Sequence, residues 1–512
     1  VGLIFAICPK VTYSYCMNEK VVKQKLQEII TSQIRSLVNK LPVPAEVFVV
    51  GGAVRDALLR KSTKDIDIVV RNVAPRTLQR TLKSMGAVEL VGKNFGVFKW
   101  TPRRWKGEAI DVALPRTDHA FDTGGYKDVK TQSDPSLSIE KDVKRRDYTV
   151  NALAYNIKKR QLEDYVGGVS DLASKTLRTV GDPVKRFRED FTRMLRGVRF
   201  SIQLGFALEA HTAKVLRIMM HHVNDQTSKG EWKVPREMVA KELVRMFVLD
   251  PVRAFDASYF FHVFDELIPE MMDLRNCPQP AQYHVEGDVM QHTRAALEHL
   301  QSVKYKKLFG THPPSALLIF SVLFHDIGKP VVITFPEPGS NDRIRYNNHD
   351  TQGAESAGHI ARRLHLSVYA KENASYHIDA DKLAWLVRNH LIGFRNGILA
   401  MKPSTIEKYY FNGFFPSEEL LRMQFVDTMA TVGPKRKPDV SGFTMIYRTV
   451  KKISRARKDT GVRSLLTGDE IIEIKKIAPG PEVGGLLSQL RNVQLQGRVR
   501  TRAQAVRFIK SR

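Results

Sequence analysis

Cysteine is scarce: 512 residues contain three, Cys8, Cys16 and Cys277. Three thiols cannot build a disulfide framework and no pair has zinc-ligand spacing, so a disulfide-stapled scaffold and a structural zinc are both excluded and a reducing compartment is expected. Long apolar runs are missing too. Nothing approaches the roughly 20 residues that span a bilayer, and Val1 to Cys8 is too short and lacks the basic flank of a signal peptide. The expectation is no membrane partner and a cytoplasmic location, an organelle being the other option; Met17 reads as a candidate start. Acids are in deficit, 54 against 81 Lys+Arg, and the formal charge of +27 favours a polyanionic partner, nucleic acid first. What remains is ordinary: 43% apolar and 26% charged residues, at a length that suits several domains.

The chain changes character along its length. Val22, Leu26, Ile29, Ile30, Ile34 and Leu37 give a helical period from Val21 to Val38. Strand-like runs follow at Val47–Val50, Ile66–Val70, Val97–Trp100 and Ile110–Leu114, and the polar stretch Arg116–Ser138 reads as a long functional loop. Beyond about Gly168 apolar residues recur at helical spacing almost to the end. An α/β head followed by an all-α body is expected. From Pro434 the chain is strongly basic, which suits phosphate contact as well as a solvated surface.

The head carries the chemistry. Val47 to Val50, then Gly51, Gly52 and Arg55, reads as a buried strand, a diglycine turn and a helix start. Such a turn lets backbone approach a triphosphate, although tight packing explains a diglycine equally well on its own. Asp65 and Asp67 follow at i and i+2 with Ile66 and Ile68 between and after them, so alternation puts both acids on one face. Like charges at the end of a buried strand are costly without a cation, and Mg²⁺ is the economical answer. Asp111, in the run Ala109–Ala113, is a third candidate carboxylate or a plain strand-end polar residue.

These residues resemble a family. Gly51-Gly52-Ala53-Val54-Arg55-Asp56 followed by Asp65-Ile66-Asp67-Ile68, then Arg145–Leu153, Gly167–Leu172 and Glu189–Arg193, is similar in order and spacing to the class II tRNA nucleotidyltransferases and bacterial poly(A) polymerases of the polymerase-β superfamily. The resemblance implies that Asp65, Asp67 and Asp111 are catalytic, with Asp65 and Asp67 holding Mg²⁺. It implies that Gly51, Gly52, Arg55, Arg146, Asp147 and Asn151 contact the incoming nucleotide, and that Gly167-Gly168 is a hinge. Asp190 and Arg193, three apart on one helix face, offer an acceptor beside a donor. That edge suits cytosine and adenine and disfavours uracil and guanine, with Glu189 orienting Arg193.

The helical part adds a second constellation. His292, the adjacent His325-Asp326 and Asp427 are similar to the H…HD…D signature of HD phosphohydrolases, which implies a divalent metal of unknown identity. His349 and His390 stand where that family places further ligands or substrate contacts. Lys329 suits either a phosphate or a helix dipole. Leu466–Asp469 and Pro479–Leu487 resemble the tail of HD-bearing members.

The expected fold class is therefore α+β: a polymerase-β-like nucleotidyltransferase head with a small mixed sheet, then an all-α neck, body, HD-type helical domain and tail. The expected domains are residues 20–157 (head), 158–225 (neck, with the nucleobase-selecting helices), 226–283 (helical body), 284–433 (HD-type domain) and 434–512 (basic tail). The expected activity is template-independent addition of CCA to the 3′ end of tRNA from CTP and ATP, with HD phosphohydrolase activity as an accompaniment. The competing readings are a poly(A) polymerase or partial CC- or A-adding enzyme, and an HD metal-dependent phosphohydrolase with an RNA-binding head. Oligomeric state is left open.

Overall fold

The computed structural model describes residues 19–63, 65–91, 97–120, 124–125, 129–339, 342–367, 376–395, 397–461 and 463–512. Cys8, Cys16, Met17 and Lys64 lie outside the described residues. The chain forms two compact units, one running to Asp250 and including Asp256–Glu266, the other made of Pro251–Phe255 and Leu267–Arg512.

The first unit opens with α1 (Glu19–Glu28) and α2 (Ser32–Lys40). One helix was the expectation for Val21–Val38, and two are found. Thr31 is extended (φ −71°, ψ 166°) and its hydroxyl accepts from Ile34 N, so a side chain that competes for backbone donors restarts the helix. The apolar stripe survives the break: Leu26, Ile30, Ile34 and Leu37 are buried in one core.

Next come β1 (Glu46–Val50), α3 (Gly52–Leu58), β2 (Asp67–Arg71), α4 (Pro75–Met85), β3 (Gly86–Val91), β4 (Val97–Pro102), β5 (Ile110–Ala113), β6 (Arg116–Ala120), β7 (Val129–Ser133), α5 (Ile139–Lys144), β8 (Leu153–Asn156) and β9 (Gln161–Asp164). Seven of these strands form a mixed sheet in the order β3-β4-β5-β2-β1-β8-β9. Strand β1 is buried on both faces. Val47 and Val49 join the core of the first helices, while Phe48 and Val50 pack with Ile139 and Val143 of α5, which is why β1 is apolar at consecutive positions. The stretch Arg116–Ser138 is not simply a loop. Its ends pair as an antiparallel hairpin, from Arg116↔Ser133 to Ala120↔Val129, because a two-stranded ribbon needs backbone hydrogen bonds more than apolar side chains.

Helices then dominate: α6 (Gly168–Ala173), α7 (Pro183–Glu189), α8 (Thr192–Leu204), α9 (Ala210–Met219) and α10 (Arg236–Leu249), interrupted by the two-residue parallel strands β10 (Thr176–Leu177) and β11 (Ala207–Leu208). Two further helices, α11 (Pro251–Phe260) and α12 (Val263–Leu267), precede the bundle of the second unit. That bundle comprises α13 (Val289–His299), α14 (Val303–Phe309), α15 (Ala316–Phe324), α16 (Lys329–Val332), α17 (His349–Arg363), α18 (Ala380–Asn389), α19 (Pro403–Tyr410) and α20 (Ser417–Ala430). Helix α15, ALLIFSVLF, is buried all round and is packed by α13, α18 and α20. The basic tail is α21 (Ser441–Thr460), α22 (Gly468–Lys475), α23 (Pro481–Leu495) and α24 (Arg502–Lys510), and a separate cluster of Leu466, Ile471, Val483, Leu486, Leu490 and Ile509 holds its last three helices together.

Candidate active site

Register brings the head carboxylates together. Antiparallel pairing sets Asp67 opposite Val50, the last residue of β1, and parallel pairing sets it opposite Asp111. Strand β2 begins at Asp67, so Asp65 lies just before the strand rather than in it. The alternation still holds: Asp65 and Asp67 reach solvent while Ile66 and Ile68 are buried. Crowding by protein atoms, together with the charges of Asp111 and Asp65, raises the Asp67 carboxyl above its ordinary range against the pull of Arg146. Burial and Asp65 raise Asp111 likewise, and Lys99 opposes them. Asp67 and Asp111, whose carboxyls are both raised, together with Asp65, whose charge acts on each, offer an oxygen-donor set that suits a hard divalent cation.

Gly51 is what lets the turn approach them. It caps α3 at φ +73°, its N–H bonds Leu153 O at 3.1 Å, and a Cβ there would sit 2.8 Å from Arg146 Nη1 and 3.5 Å from Asp67 Oδ2. Gly52 leaves room beside Arg55 Nη2. Arg55 is buried rather than presented outward: Nη1 donates to Asn151 Oδ1 at 2.5 Å and Nε to Asp56 Oδ1 at 2.8 Å. Asn151 donates to Asp147 Oδ1 at 3.3 Å, and Arg196 grips Asp147 Oδ2 with Nε at 2.9 Å and Nη2 at 2.7 Å. Burial would raise Asp147, but the Arg196 guanidinium overrides it and holds the carboxyl at about 2. Arg145 and Arg146 are both tethered by the fully buried Asp142, at 2.7 and 3.5 Å. Gly168 would drive a Cβ to 2.3 Å from Thr149 O, so this second diglycine packs closely against the same segment.

Asp190 and Arg193 are neighbours, though not on one helix face as expected. Asp190 is extended (φ −162°, ψ 105°) between α7 and α8, and its Oδ1 accepts from Thr192 N at 2.9 Å. A short carboxylate that can cap a following helix ends the one before it. Arg193 lies in the first turn of α8, where its Nη1 donates to Arg186 O at 3.0 Å and to Glu189 Oε2, which also takes Arg186 Nη1 at 2.9 Å. Tyr148 OH donates to Arg193 O at 2.7 Å and reaches it over Gly197. Sequence reasoning overlooked Arg196. Its signal was present, because Arg193, Arg196 and Arg199 recur at three-residue steps along one side of α8.

In the second unit the bundle gathers His292 (α13), His325 and Asp326 (end of α15), His349 (start of α17), His390 (end of α18) and Asp427 (α20). Three groups among the described residues have ligand atoms within 4.8 Å of one another: His292/His325/Asp427, Asp326/His349/His390, and His284/Glu286/His292 beside them. His325, His349 and His390 each direct Nδ1 to the carbonyl three residues earlier, Val322, Tyr346 and Val387, at 2.7 Å. Each Nε2 is thereby left as the ligating atom, and that of His325 is buried with no hydrogen-bond partner. This arrangement fits a divalent ion.

His292 is held differently, between Glu286 Oε1 on Nδ1 (3.0 Å) and Asp427 Oδ1 on Nε2 (3.1 Å). Burial disfavours its charge, yet these acids lift it to about 9. Burial beside His349 and His325 lowers His390 to about 4. Glu286, which also takes His284 Nδ1 at 2.6 Å, was absent from the sequence reading because a lone Glu before a helix carries no pattern. Lys329 turns inward, with Nζ 2.6 Å from Asp326 Oδ2 and 2.8 Å from Gln279 Oε1.

A strand, a diglycine turn and a helix set against the in-register acids Asp67 and Asp111, with Asp65 just before the strand, define a nucleotidyltransferase head of the polymerase type. Residues 47–178 match the poly(A) polymerase head domain. The multifunctional CCA protein of Xanthomonas axonopodis pv. citri is 34% identical over 327 residues, covering 62% of this chain and 70% of the relative. That of Haemophilus ducreyi is 28% identical over 376 residues, 71% of this chain and 83% of the relative. The chain belongs to this family of multifunctional CCA proteins. Among solved structures it is similar in fold to the Thermotoga maritima CCA-adding enzyme complexed with tRNA, with a TM-score of 0.58 at 19% identity over 96% of this chain and 98% of the other. It is similar also to a CCA-adding enzyme complexed with ATP, with a TM-score of 0.59 at 18% identity over 95% of each.

Proposed function

We propose that this protein adds C, C and A to the 3′ end of tRNA from CTP and ATP without a nucleic-acid template. The observation that carries the reading is Asp67 in register with Asp111 beside Gly51, in a chain of the CCA-protein family. Asp65 and Asp67, with Asp111 as the third carboxylate, would hold Mg²⁺, which when bound would supply charge neutralisation for the α-phosphate and the departing pyrophosphate. Gly51 and Gly52 bring backbone close to the triphosphate, and Arg146 adds positive charge beside Asp67. Arg55, Asn151 and Asp147 form a buried hydrogen-bonded chain that holds the floor of the nucleotide site, with Arg196 as its charge partner. Asp190 and Arg193 present the edge that accepts cytosine and adenine, and Glu189 orients Arg193. In this reading residues 20–157 are the head, 158–225 the neck, 226–283 the body, 284–433 the HD-type domain and 434–512 a basic tail that grips tRNA through phosphates.

A second activity is favoured by the His292/His325/Asp326/Asp427 cluster with its orphaned imidazole nitrogen: metal-assisted hydrolysis of a phosphomonoester or cyclic phosphate. Among the described residues no helix is long and apolar enough to cross a bilayer.

The test is incubation with tRNA lacking its terminal CCA and each labelled nucleotide, followed by sizing of the product. Three added residues requiring both CTP and ATP support the proposal. A long A-only tail, or addition stopping at CC or confined to A, moves the assignment to a poly(A) polymerase or a partial enzyme. Phosphatase activity without incorporation moves it to the HD reading.

A further inference from the structure

Between Asp190 and Arg193 lies Phe191, a side chain that the roles above leave unused. The hydrogen bonds that shape this bend are local: Asp190 N donates to Phe187 O at 3.0 Å, Thr192 N to Asp190 Oδ1 at 2.9 Å, and Arg193 N to Asp190 O at 3.2 Å. They set the turn from α7 into α8 but not where the bend stands in the fold. The buried Phe191 ring supplies an anchor. It stacks on the imidazole of His222, with centroids 4.7 Å apart and planes within 3° of parallel. His222 belongs to the 3₁₀ turn Met220–Asn224, which follows α9.

The imidazole is itself held. Its Nδ1 lies 3.0 Å from Asp225 Oδ2, the same oxygen takes Lys233 Nζ at 3.2 Å, and Lys233 N donates to Asp225 O at 2.9 Å. The Lys233 ammonium stands over the Phe191 ring, 5.6 Å from its centroid, and the His221 ring lies 4.0 Å from that of His222. Gly124 meets Phe191 as well: it accepts from Phe191 N at 3.2 Å, and a Cβ there would fall 1.9 Å from the ring. Plain apolar filling needs no parallel partner and no carboxylate to orient it. A stacked ring pinned by an acid fixes the plane of Phe191, and with it the backbone on either side.

An edge made of hydrogen bonds tolerates little displacement. Such bonds work between about 2.7 and 3.2 Å, so a shift of about half an ångström at Asp190 or Arg193 loses the bonds to cytosine or adenine. Uracil and guanine gain nothing from that edge and have nothing to lose. We propose that His222 is a positioning residue for nucleobase choice, holding Asp190 and Arg193 in place through the Phe191 ring, with Asp225 and Lys233 fixing the imidazole. This deepens the reading of Asp190 and Arg193 as the base-selecting edge and rests on it.

The test is equilibrium binding of CTP, ATP, UTP and GTP to the full chain with Mg²⁺ and without tRNA, with melting temperatures followed alongside. His222→Leu keeps apolar bulk against Phe191 but no flat face; CTP and ATP should bind about fivefold more weakly while UTP and GTP are unchanged. His222→Phe restores a ring face and should bring the preference back to within about twofold of wild type. A purely structural His222 would lower the melting temperature and leave the preference intact. That outcome, equal weakening of all four nucleotides, or no recovery in His222→Phe overturns the proposal. Asp225→Ala serves if His222→Leu does not fold: it frees the imidazole and should lower the same preference about twofold, and an unchanged preference overturns the proposal equally. Wild type that binds the four nucleotides alike defeats the base-selecting edge and this inference together. Wild type that prefers CTP and ATP in binding yet adds nothing to tRNA defeats the proposed function alone.

Discussion

Asp67 and Asp111 are direct partners across the parallel pairing of β2 with β5, and each raises the electrostatic cost of the site for a cation to relieve. Asp67→Asn or Asp111→Asn removes a metal-binding oxygen while relieving repulsion. Nucleotide incorporation should fall at least about a hundredfold in either variant, with thermal stability unchanged or slightly higher. Incorporation at the wild-type rate by Asp67→Asn would remove the acids from the chemistry.

Gly51→Ala tests the turn by itself. An L side chain at φ +73° costs about 1 kcal/mol or more, and its Cβ would displace the Arg146 guanidinium at 2.8 Å. The expected result is a rise of about tenfold in KM for CTP and ATP with a melting point lower by a few degrees, measured by steady-state kinetics and calorimetry.

Asp147 links stability to pH. Its carboxyl is held at about 2 in the folded chain against an ordinary value of 3.8, so its contribution is complete above 3.8 and is lost as pH falls through 2. The shift corresponds to about 2 kcal/mol. Asp147→Asn should therefore be less stable than wild type by about that amount at pH 7, and the gap should close as pH approaches 2 in denaturant titrations. A gap that persists at low pH would place the cost in packing.

Arg193→Ala should leave incorporation measurable but flatten base choice. The ratio of CTP and ATP use to UTP and GTP use should fall by tenfold or more, because the donor that repels a ring N–H is gone. Glu189→Gln should give a smaller change in the same direction, since Glu189 holds Arg193 without facing a base.

The helical metal centre is separable from the head. His325→Ala or Asp326→Ala should abolish retention of a transition metal, read by elemental analysis after dialysis, and should lower thermal stability only where the metal is supplied. Incorporation supported by Mg²⁺ should stay within about threefold of wild type. Equal loss of both activities would tie the two centres together.

Local chemistry made much of the head readable in advance. A strand buried on both faces has to be apolar at every position, so β1 could be seen from Val47–Val50, and alternation in Asp65–Ile68 announced which side the acids take. The same holds for the basic charge and for the His-Asp dipeptide after the apolar α15. Where polarity stood in for burial the reading slipped: the ribbon β6–β7 is held by its backbone ladder, and Thr31 and Asp190 use short side chains to restart helices that periodicity alone would have run on.

What the amino-acid order by itself determined is the set of chemical groups and their local spacing, because capping, alternation and glycine torsions act within a few residues. Folding alone decided which of those groups meet. Asp111 became a partner of Asp67 through the register of a parallel pair over forty residues apart in sequence, Arg55 turned inward to Asn151, and Arg196 became the charge partner of Asp147. His349 and His390 entered the second centre only when α18 packed against α15 and α17 against α18. Such contacts depend on long-range closure of the chain, and no residue's neighbours in sequence encode them.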